Sequence, residues 1–266
     1  MFIHFGGRTN LKLMNKRKYQ ENLSLQSPIL LNYEYKRNKV EKMLAILEDS
    51  GIIGTKEKSL AVDIGCSGGF FVSGISDYFE QVVGLDIDIH ALKLANKKNS
   101  QKNILYLAGD SLNLPFPDKS VDLVVCNHVY EHVPDPKQMF YEIYRVLNDE
   151  GICYLGAASR LTLIEPHYNL PFLSWLPKTF ANWYMRAFGK GDYYYENLRT
   201  YAGLMDLISY FSIKDYTLDV IANPIKYHAQ DLFPENSLIS RIPKFLWKML
   251  YRMLPTYIFI LGKHKS

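Results

Sequence analysis

The sequence predicts an α/β domain, a mostly parallel sheet with helices on both faces. Three observations carry that expectation. Five short apolar runs alternate with helical segments between residues 58 and 158, an order that makes parallel strands joined by right-handed crossovers. The first run, Leu60-Ala61-Val62-Asp63-Ile64, breaks into Gly65-Cys66-Ser67-Gly68-Gly69 and a helix start at Phe70. The next two runs each end in an aspartate, Asp86 and Asp110. At 266 residues and 48% hydrophobic composition the chain can bury a sizeable core.

Taken in order, residues 1–32 are polar and mixed, with Lys16, Arg17 and Lys18 in a row, and read as a loosely held arm. Residues 33–266 are expected to form one domain. Val40, Met43, Leu44 and Leu47 recur at helical spacing over Tyr33–Ser50, and Gly51 ends the pattern. A strand at Leu60–Ile64 is apolar enough to be covered on both faces. Its Asp63 needs a partner, either backbone N–H groups of the glycine turn or a ligand cation. A helix is predicted over Phe70–Phe79 and a strand over Gln81–Ile87. Asp88 suits an N-cap for the helix that follows from His90. Further strands are predicted at Asn103–Ala108, Val121–Cys126 and Gly151–Ala157, with a helix over Gln138–Leu147.

The glycine turn and the segments after it resemble class I S-adenosylmethionine-dependent methyltransferases, of the small-molecule type found in quinone biosynthesis. Val62-Asp63-Ile64-Gly65-Cys66-Ser67-Gly68-Gly69 is similar to that family's first motif, with Ser67 where the middle glycine usually stands. Asp86 lies where the family's acidic residue accepts from both ribose hydroxyls. Gly109-Asp110-Ser111-Leu112 resembles the adenine-binding turn. Leu114-Pro115-Phe116-Pro117-Asp118 and the run Asn127-His128-Val129-Tyr130-Glu131-His132 are also family-like. The resemblance implies a Rossmann-like seven-stranded sheet whose last strand is antiparallel, with S-adenosyl-L-methionine as cofactor. It implies cofactor contacts from Asp63, Gly65, Ser67, Gly69, Asp86, Ile87, Asp110, Ser111, Asn127 and His128. It also puts His132 near the methyl group. A histidine beside a carboxylate such as Glu131 suits the general base that a hydroxyl acceptor requires, and equally suits two residues that merely fix the loop and the next helix.

Within residues 33–158 lies the cofactor-binding core, and residues 159–198 change character. Rich in aromatics and proline and poor in helical periodicity, they read as a lid inserted after the fifth strand. Trp175, Phe180, Trp183, Tyr184 and Tyr193–Tyr195 either line an acceptor pocket or glue the lid to the core. Glu165, His167 and Trp175 are its candidate substrate contacts. Residues 199–266 complete the sheet, with a helix at Thr200–Phe211 and strands at Ile213–Ile221 and Thr256–Leu261. Between those strands, residues 240–254 carry Arg241, Lys244, Lys248 and Arg252 on one stripe. Opposite them lie Ile242, Phe245, Leu246, Met249, Leu250 and Met253, so this basic amphipathic helix either packs on the sheet or lies on an anionic membrane surface.

Composition narrows the function classes. A net charge of +4 does not mark a nucleic-acid binder. Cys66, Cys126 and Cys153 fall in or beside strands without metal-ligand spacing, so core thiols in a reducing cytoplasm and no metal site are expected. Residues 1–7 have no long apolar core or cleavage-like site, so no signal peptide is expected, and no run of about 18 uncharged apolar residues argues for a spanning helix. The expected function is transfer of a methyl group to a small-molecule, lipid or glycan acceptor. Two alternatives stand beside it. A nicotinamide-dependent oxidoreductase would want Gly-x-Gly-x-x-Gly, which residues 65–70 lack. A non-catalytic scaffold of the same fold has no physical need for the carboxylates Asp63, Asp86 and Asp110.

Overall fold

The computed structural model describes residues 21, 23–26, 31, 33–53, 58–99, 101–230 and 244–264. Most of the expected N-terminal arm, and Arg241 and Ile242 of the expected basic amphipathic helix, lie outside those residues. In chain order the elements are α1 (Leu23–Gln26), α2 (Tyr33–Ser50), β1 (Lys58–Ile64), α3 (Phe70–Ile75), β2 (Phe79–Asp86), α4 (Ile89–Lys98), β3 (Ile104–Ala108), β4 (Val121–Asn127), α5 (Pro136–Val146) and β5 (Leu147–Ala158). They continue with the two-residue strands β6 (Ile164–Glu165) and β7 (Leu170–Pro171), then α6 (Lys178–Ala187), α7 (Tyr201–Leu207), β8 (Ser212–Asp215), α8 (Thr217–Ala222), α9 (Lys244–Leu250) and β9 (Thr256–Gly262).

Seven strands form one sheet in the order β3-β2-β1-β4-β5-β9-β8. The β1–β5 pairings are parallel, whereas β9 runs antiparallel to both β5 and β8. The strand order reverses between β1 and the middle strand β4, so the carboxyl ends of β1 and β4 open a crevice between the two halves. Alternate residues of each central strand feed opposite faces. Val62 and Ile64 pack with Met139, Phe140 and Ile143 of α5 and Leu204 and Leu207 of α7, while Ala61 packs with Met43, Ile46 and Leu47 of α2 and Val72 and Ile75 of α3. Completely burying a side chain such as Phe140 contributes roughly 1.5–3 kcal/mol.

Polar residues fix the joints. Asp88 caps α4 by accepting from the Ala91 N–H at 3.1 Å, as the sequence predicts, and Asp135 caps α5 by accepting from Gln138 N–H at 3.1 Å. Arg145 explains the Leu-Pro-Phe-Pro-Asp segment. Its guanidinium donates to the Leu114 and Phe116 carbonyls and to the carboxylates of Asp118 and Glu142, clamping a strand-free loop to α5.

Several elements depart from expectation, and the helix expected over Thr200–Phe211 spans only Tyr201–Leu207. The helix after the glycine turn ends at Ile75 rather than Phe79, because a tight turn at Ser76–Tyr78 delivers the buried Phe79 into β2. The strand expected over Ile213–Ile221 stops at Asp215, whose side chain accepts from Thr217 N–H at 2.8 Å and opens α8 instead; Tyr216 and Val220 then reach the core. The lid contains a ten-residue helix, α6, where no helical pattern was expected. Ala181 and Met185, four residues apart, bury it against Leu170, Leu173 and Tyr194 in a small core of the lid's own. Phe180, Trp183 and Tyr193 are 63%, 65% and 56% exposed, so they neither glue the lid nor line a closed pocket.

Candidate active site

The glycine turn follows from β1 having to stop against two neighbours. Gly65, Ser67 and Gly69 all take left-handed backbone angles, φ 69, 47 and 73. A Cβ at Gly65 would lie 2.8 Å from the Val129 side chain, and one at Gly69 only 2.2 Å from the Tyr106 hydroxyl oxygen. Gly65 N–H and Cys66 N–H both donate to the Leu85 carbonyl, at 2.8 and 3.2 Å, binding the turn to β2. Ser67 occupies a conformation that costs an ordinary residue about 1–2 kcal/mol. Substituting it with glycine is expected to stabilise the fold by about 0.5–1 kcal/mol after the added chain entropy of glycine is subtracted. Urea unfolding of S67G should show a raised midpoint with an unchanged slope.

Three carboxylates stand at the ends of β1, β2 and β3. Asp63 is 2% exposed, and its Oδ2 has no hydrogen-bond partner among the described residues. The turn therefore does not satisfy that oxygen with a backbone N–H. Burial, reinforced by repulsion from Asp86, pushes the Asp63 carboxyl well above its usual range, and Lys36 on α2 pulls the other way. Burial lowers Lys36 to about 8, with Lys39 adding repulsion. Asp86 accepts from Ser67 N–H at 2.7 Å and Asp88 N–H at 2.8 Å, one on each carboxylate oxygen. Burial still raises it to about 6, against those bonds. Ile87 is the single residue between those two aspartates. Asp110 accepts from Leu112 N–H at 3.0 Å, which folds the turn that buries Ser111.

The loop after β4 faces that turn. Asn127 ends the strand, and its Oδ1 sits 2.1 Å from where a Cβ on Gly156 would be, so β5 needs glycine there. His128 has φ 57, and its N–H donates to the Gly156 carbonyl at 2.8 Å. Tyr130 is fully buried. Its hydroxyl donates to the Ala158 carbonyl at 2.5 Å and accepts from Arg199 N–H at 3.0 Å, locking the loop to both ends of the lid.

Across this junction the fold collects three glutamates, each at most 1% exposed, and three histidines. His128 Nδ1 is 3.4 Å from Glu131 Oε1, His132 Nδ1 is 3.9 Å from Glu196 Oε1, and His167 Nδ1 is 2.7 Å from Glu165 Oε1. The His132 and His167 rings meet edge to face at 4.8 Å. Glu165 Oε2 also accepts from His167 N–H and Tyr168 N–H, and the Tyr168 hydroxyl donates to Glu196 at 3.2 Å. Burial lowers the pKa of His128 despite Glu131. At His167 burial opposes the charged ring, but Glu165, with Glu196 and Glu131, outweighs it and the pKa is raised. Burial, with Glu165 adding repulsion, raises Glu196.

Thus the expected pairs Glu131–His132 and Glu165–His167 meet in one place, although 33 residues of sequence separate them. Trp175 does not join them through its indole N–H, which donates to the Thr162 carbonyl at 2.9 Å within the lid. Sequence reasoning missed Glu196, Tyr168, Tyr130 and Lys36. A charged residue directly after Tyr193–Tyr195, in a run otherwise suited to burial, was the available signal for Glu196. Beside the cluster a cleft of ≈ 310 Å³ opens under the lid, lined by Arg160, Lys178, Tyr194, Glu196 and Arg199 among others. Lys178 donates from its ammonium group to the Tyr194 and Glu196 carbonyls, and burial lowers it to about 8.

A seven-stranded sheet with its antiparallel strand next to the edge, a glycine turn after β1 and acidic residues closing β1 to β3 define a class I methyltransferase architecture. Residues 62–155 match the family model described as a methyltransferase domain. Over that stretch, about a third of its length, the chain is similar to S-adenosylmethionine-dependent methyltransferases. It is 30% identical over 133 residues to an uncharacterised methyltransferase of Bacillus subtilis, covering 47% of this chain and 52% of that protein. It is 36% identical over 103 residues to the demethylmenaquinone methyltransferase of Lactobacillus johnsonii, covering 36% and 42%. To the rice 2-methyl-6-phytyl-1,4-hydroquinone methyltransferase 2 (Oryza sativa subsp. japonica) it is 33% identical over 153 residues, covering 56% and 40%. The chain thus spans about half the length, or less, of these curated relatives. Among solved structures, the fold is similar to phosphoethanolamine N-methyltransferase 1 of Haemonchus contortus, with TM-score 0.61 and 15% identity over 99% of this chain and 52% of that one. It is also similar to an S-adenosylmethionine-dependent methyltransferase of Mesorhizobium loti, with TM-score 0.54 and 15% identity over 82% and 97%.

Proposed function

We propose that the protein binds S-adenosylmethionine across the ends of β1, β2 and β3 and transfers its methyl group to a small-molecule acceptor held beneath residues 159–198. One observation carries this reading: carboxylates stand at or just past the ends of three adjacent strands beside a left-handed glycine turn, with Asp63 buried, and a histidine–glutamate cluster joins the loop after β4 to the lid. Asp86 accepts from the ribose, Asp110 from the adenine amino group, and the turn at Gly65, Ser67 and Gly69 lets the backbone approach the cofactor. Ile87, Ser111, Asn127 and His128 complete its contacts, and Asp63 with Lys36 borders its methionine end. The sulfonium already supplies a good leaving group, so the chain's work is to align donor and acceptor and exclude water.

His132, with Glu131 beside it, takes the proton of a hydroxyl acceptor, and Glu165 and His167 orient that acceptor. A relative named for a phytyl-hydroquinone supports an apolar acceptor bearing a hydroxyl, and one named for demethylmenaquinone supports an apolar quinone-type acceptor. Calorimetric titration with S-adenosylmethionine, S-adenosylhomocysteine and NAD tests the reading. Binding of the two adenosyl ligands alone is expected; binding of NAD alone overturns it.

A lipid-linked acceptor is a second reading, favoured by α9. Phe245, Met249, Leu250 and Met253 are 62%, 75%, 45% and 51% exposed, whereas Trp247 and Tyr251 pack on the main core. With Lys248 and Arg252 nearby, residues 244–253 offer an apolar and basic edge to an anionic bilayer. No helix among the described residues is long and apolar enough to cross a membrane. The protein is expected to co-float with phosphatidylglycerol vesicles at low salt, and F245S/M249S to abolish flotation.

A further inference from the structure

We infer that Glu131, His132 and His167 form a binding site for one divalent first-row transition metal ion. Nothing in the linear sequence suggests it, because the ligands come from two adjacent positions in the loop after β4 and a third in the lid. This departs from the expectation of a metal-free protein.

Two independent observations support the site. The donor atoms of the three side chains all lie within 4.8 Å of one another. Ligands of a single ion at about 2.1 Å each sit about 3–4 Å apart, so closure needs side-chain adjustments of under ~1 Å. Separately, Glu131 is 0% exposed, yet neither of its carboxylate oxygens receives a hydrogen bond among the described residues. His128 Nδ1 stands 3.4 Å from Glu131 Oε1. A buried carboxylate without hydrogen bonds is costly, and a cation is what removes that cost.

The surroundings suit a metal. His167 is bonded through Nδ1 to Glu165, leaving Nε2 for an ion, and Glu165 is itself pinned by two backbone N–H groups. A carboxylate that orients a ligating imidazole in this way is the usual outer partner of a metal-bound histidine. Glu196, whose Oε2 is also buried without a partner, stands 3.9 Å from His132 and supplies further negative charge. The side chains of His132 and His167 are 15% and 28% exposed, so an ion and an acceptor can reach them from the lid side. Two imidazoles and one carboxylate favour zinc, iron(II) or manganese(II) over magnesium, which prefers oxygen ligands.

The inference rests on the methyl-transfer reading for its purpose. Three protein ligands leave open positions where an acceptor hydroxyl binds the ion. With the ion bound, His132 serves as a ligand in place of the base role it has in the metal-free protein; coordination lowers the hydroxyl's pKa and its proton goes to solvent. The resulting oxyanion forms the oxygen–carbon bond as the methyl–sulfur bond breaks, and that electron pair stays on sulfur as S-adenosylhomocysteine leaves.

The test is titration of the chelator-treated protein with cobalt(II), read by its visible absorption, with S-adenosylhomocysteine affinity measured on the same sample. One equivalent is expected to give ligand-field bands that zinc displaces. E131Q and H167A are expected to weaken cobalt binding at least tenfold while leaving S-adenosylhomocysteine affinity within about twofold. Wild-type protein that binds S-adenosylhomocysteine but shows no cobalt bands overturns the metal site and leaves the cofactor reading intact. Bands of equal strength in both variants overturn the ligand assignment. Cobalt bands in a protein that binds no adenosyl ligand uphold the site and count against the methyl-transfer reading alone.

Discussion

Substituting His132 with alanine is expected to lower turnover by about 10²–10⁴-fold while S-adenosylmethionine binds with little change. That range is what a positioned proton-transfer group contributes. His132 sits at the meeting point of Glu196 and the His167 ring and does not touch the glycine turn through any of those contacts. Loss of its imidazole therefore falls on the acceptor half of the reaction. The measurement is kcat alongside cofactor affinity by calorimetry. An H132A enzyme with wild-type kcat would reduce His132 to a loop-fixing residue, the other role the sequence leaves open.

The second large effect concerns Asp86. D86A is expected to weaken S-adenosylmethionine binding by about 1–3 kcal/mol, roughly 5–150-fold, through lost charge-assisted hydrogen bonds. Its titration gives a sharper test. Burial raises Asp86 from 3.8 to about 6 in the folded chain. A raised carboxyl favours the folded state most when both states are protonated, below pH 3.8, and that advantage fades as pH rises through 6. Cofactor affinity has the opposite dependence. The ribose hydroxyls donate to an ionised carboxylate, so affinity holds above pH 6 and falls toward tenfold per unit below it. D86N carries no such titration, and its affinity is expected to be weaker but flatter between pH 5 and 7. Equal slopes for D86N and wild type would remove Asp86 from the ribose site.

Local signals made most of the core legible. The glycine turn, the aspartate cap at Asp88 and the apolar runs of β1 to β5 each depend on neighbouring residues, and each was readable from them. The misread elements are those whose conformation is decided at long range. Residues 213–221 have strand-like composition, but a side-chain bond from Asp215 turns them into α8 once β9 has taken the inner position. The helix α6 hides because only two small-to-medium residues, Ala181 and Met185, are buried, while its aromatics point outward. At the site, adjacent residues such as Glu131 and His132 could be singled out in sequence. Their convergence with His167 and Glu196 could not, because it depends on how the lid folds back onto the loop after β4.

The place of β9 has a consequence for how the protein is made. Among the described residues β8 joins the sheet only through β9, which also covers β5 along seven paired residues from Ile152 to Ala158. A ribosome that has not yet passed Gly262 therefore holds a nascent chain whose β5 is an open, apolar edge and whose β8 has nothing to pair with. Such an edge templates pairing with other chains, so the interval before β9 emerges is when the protein is most open to aggregation and to capture by chaperones. Removing Thr256–Gly262 would extend that interval indefinitely.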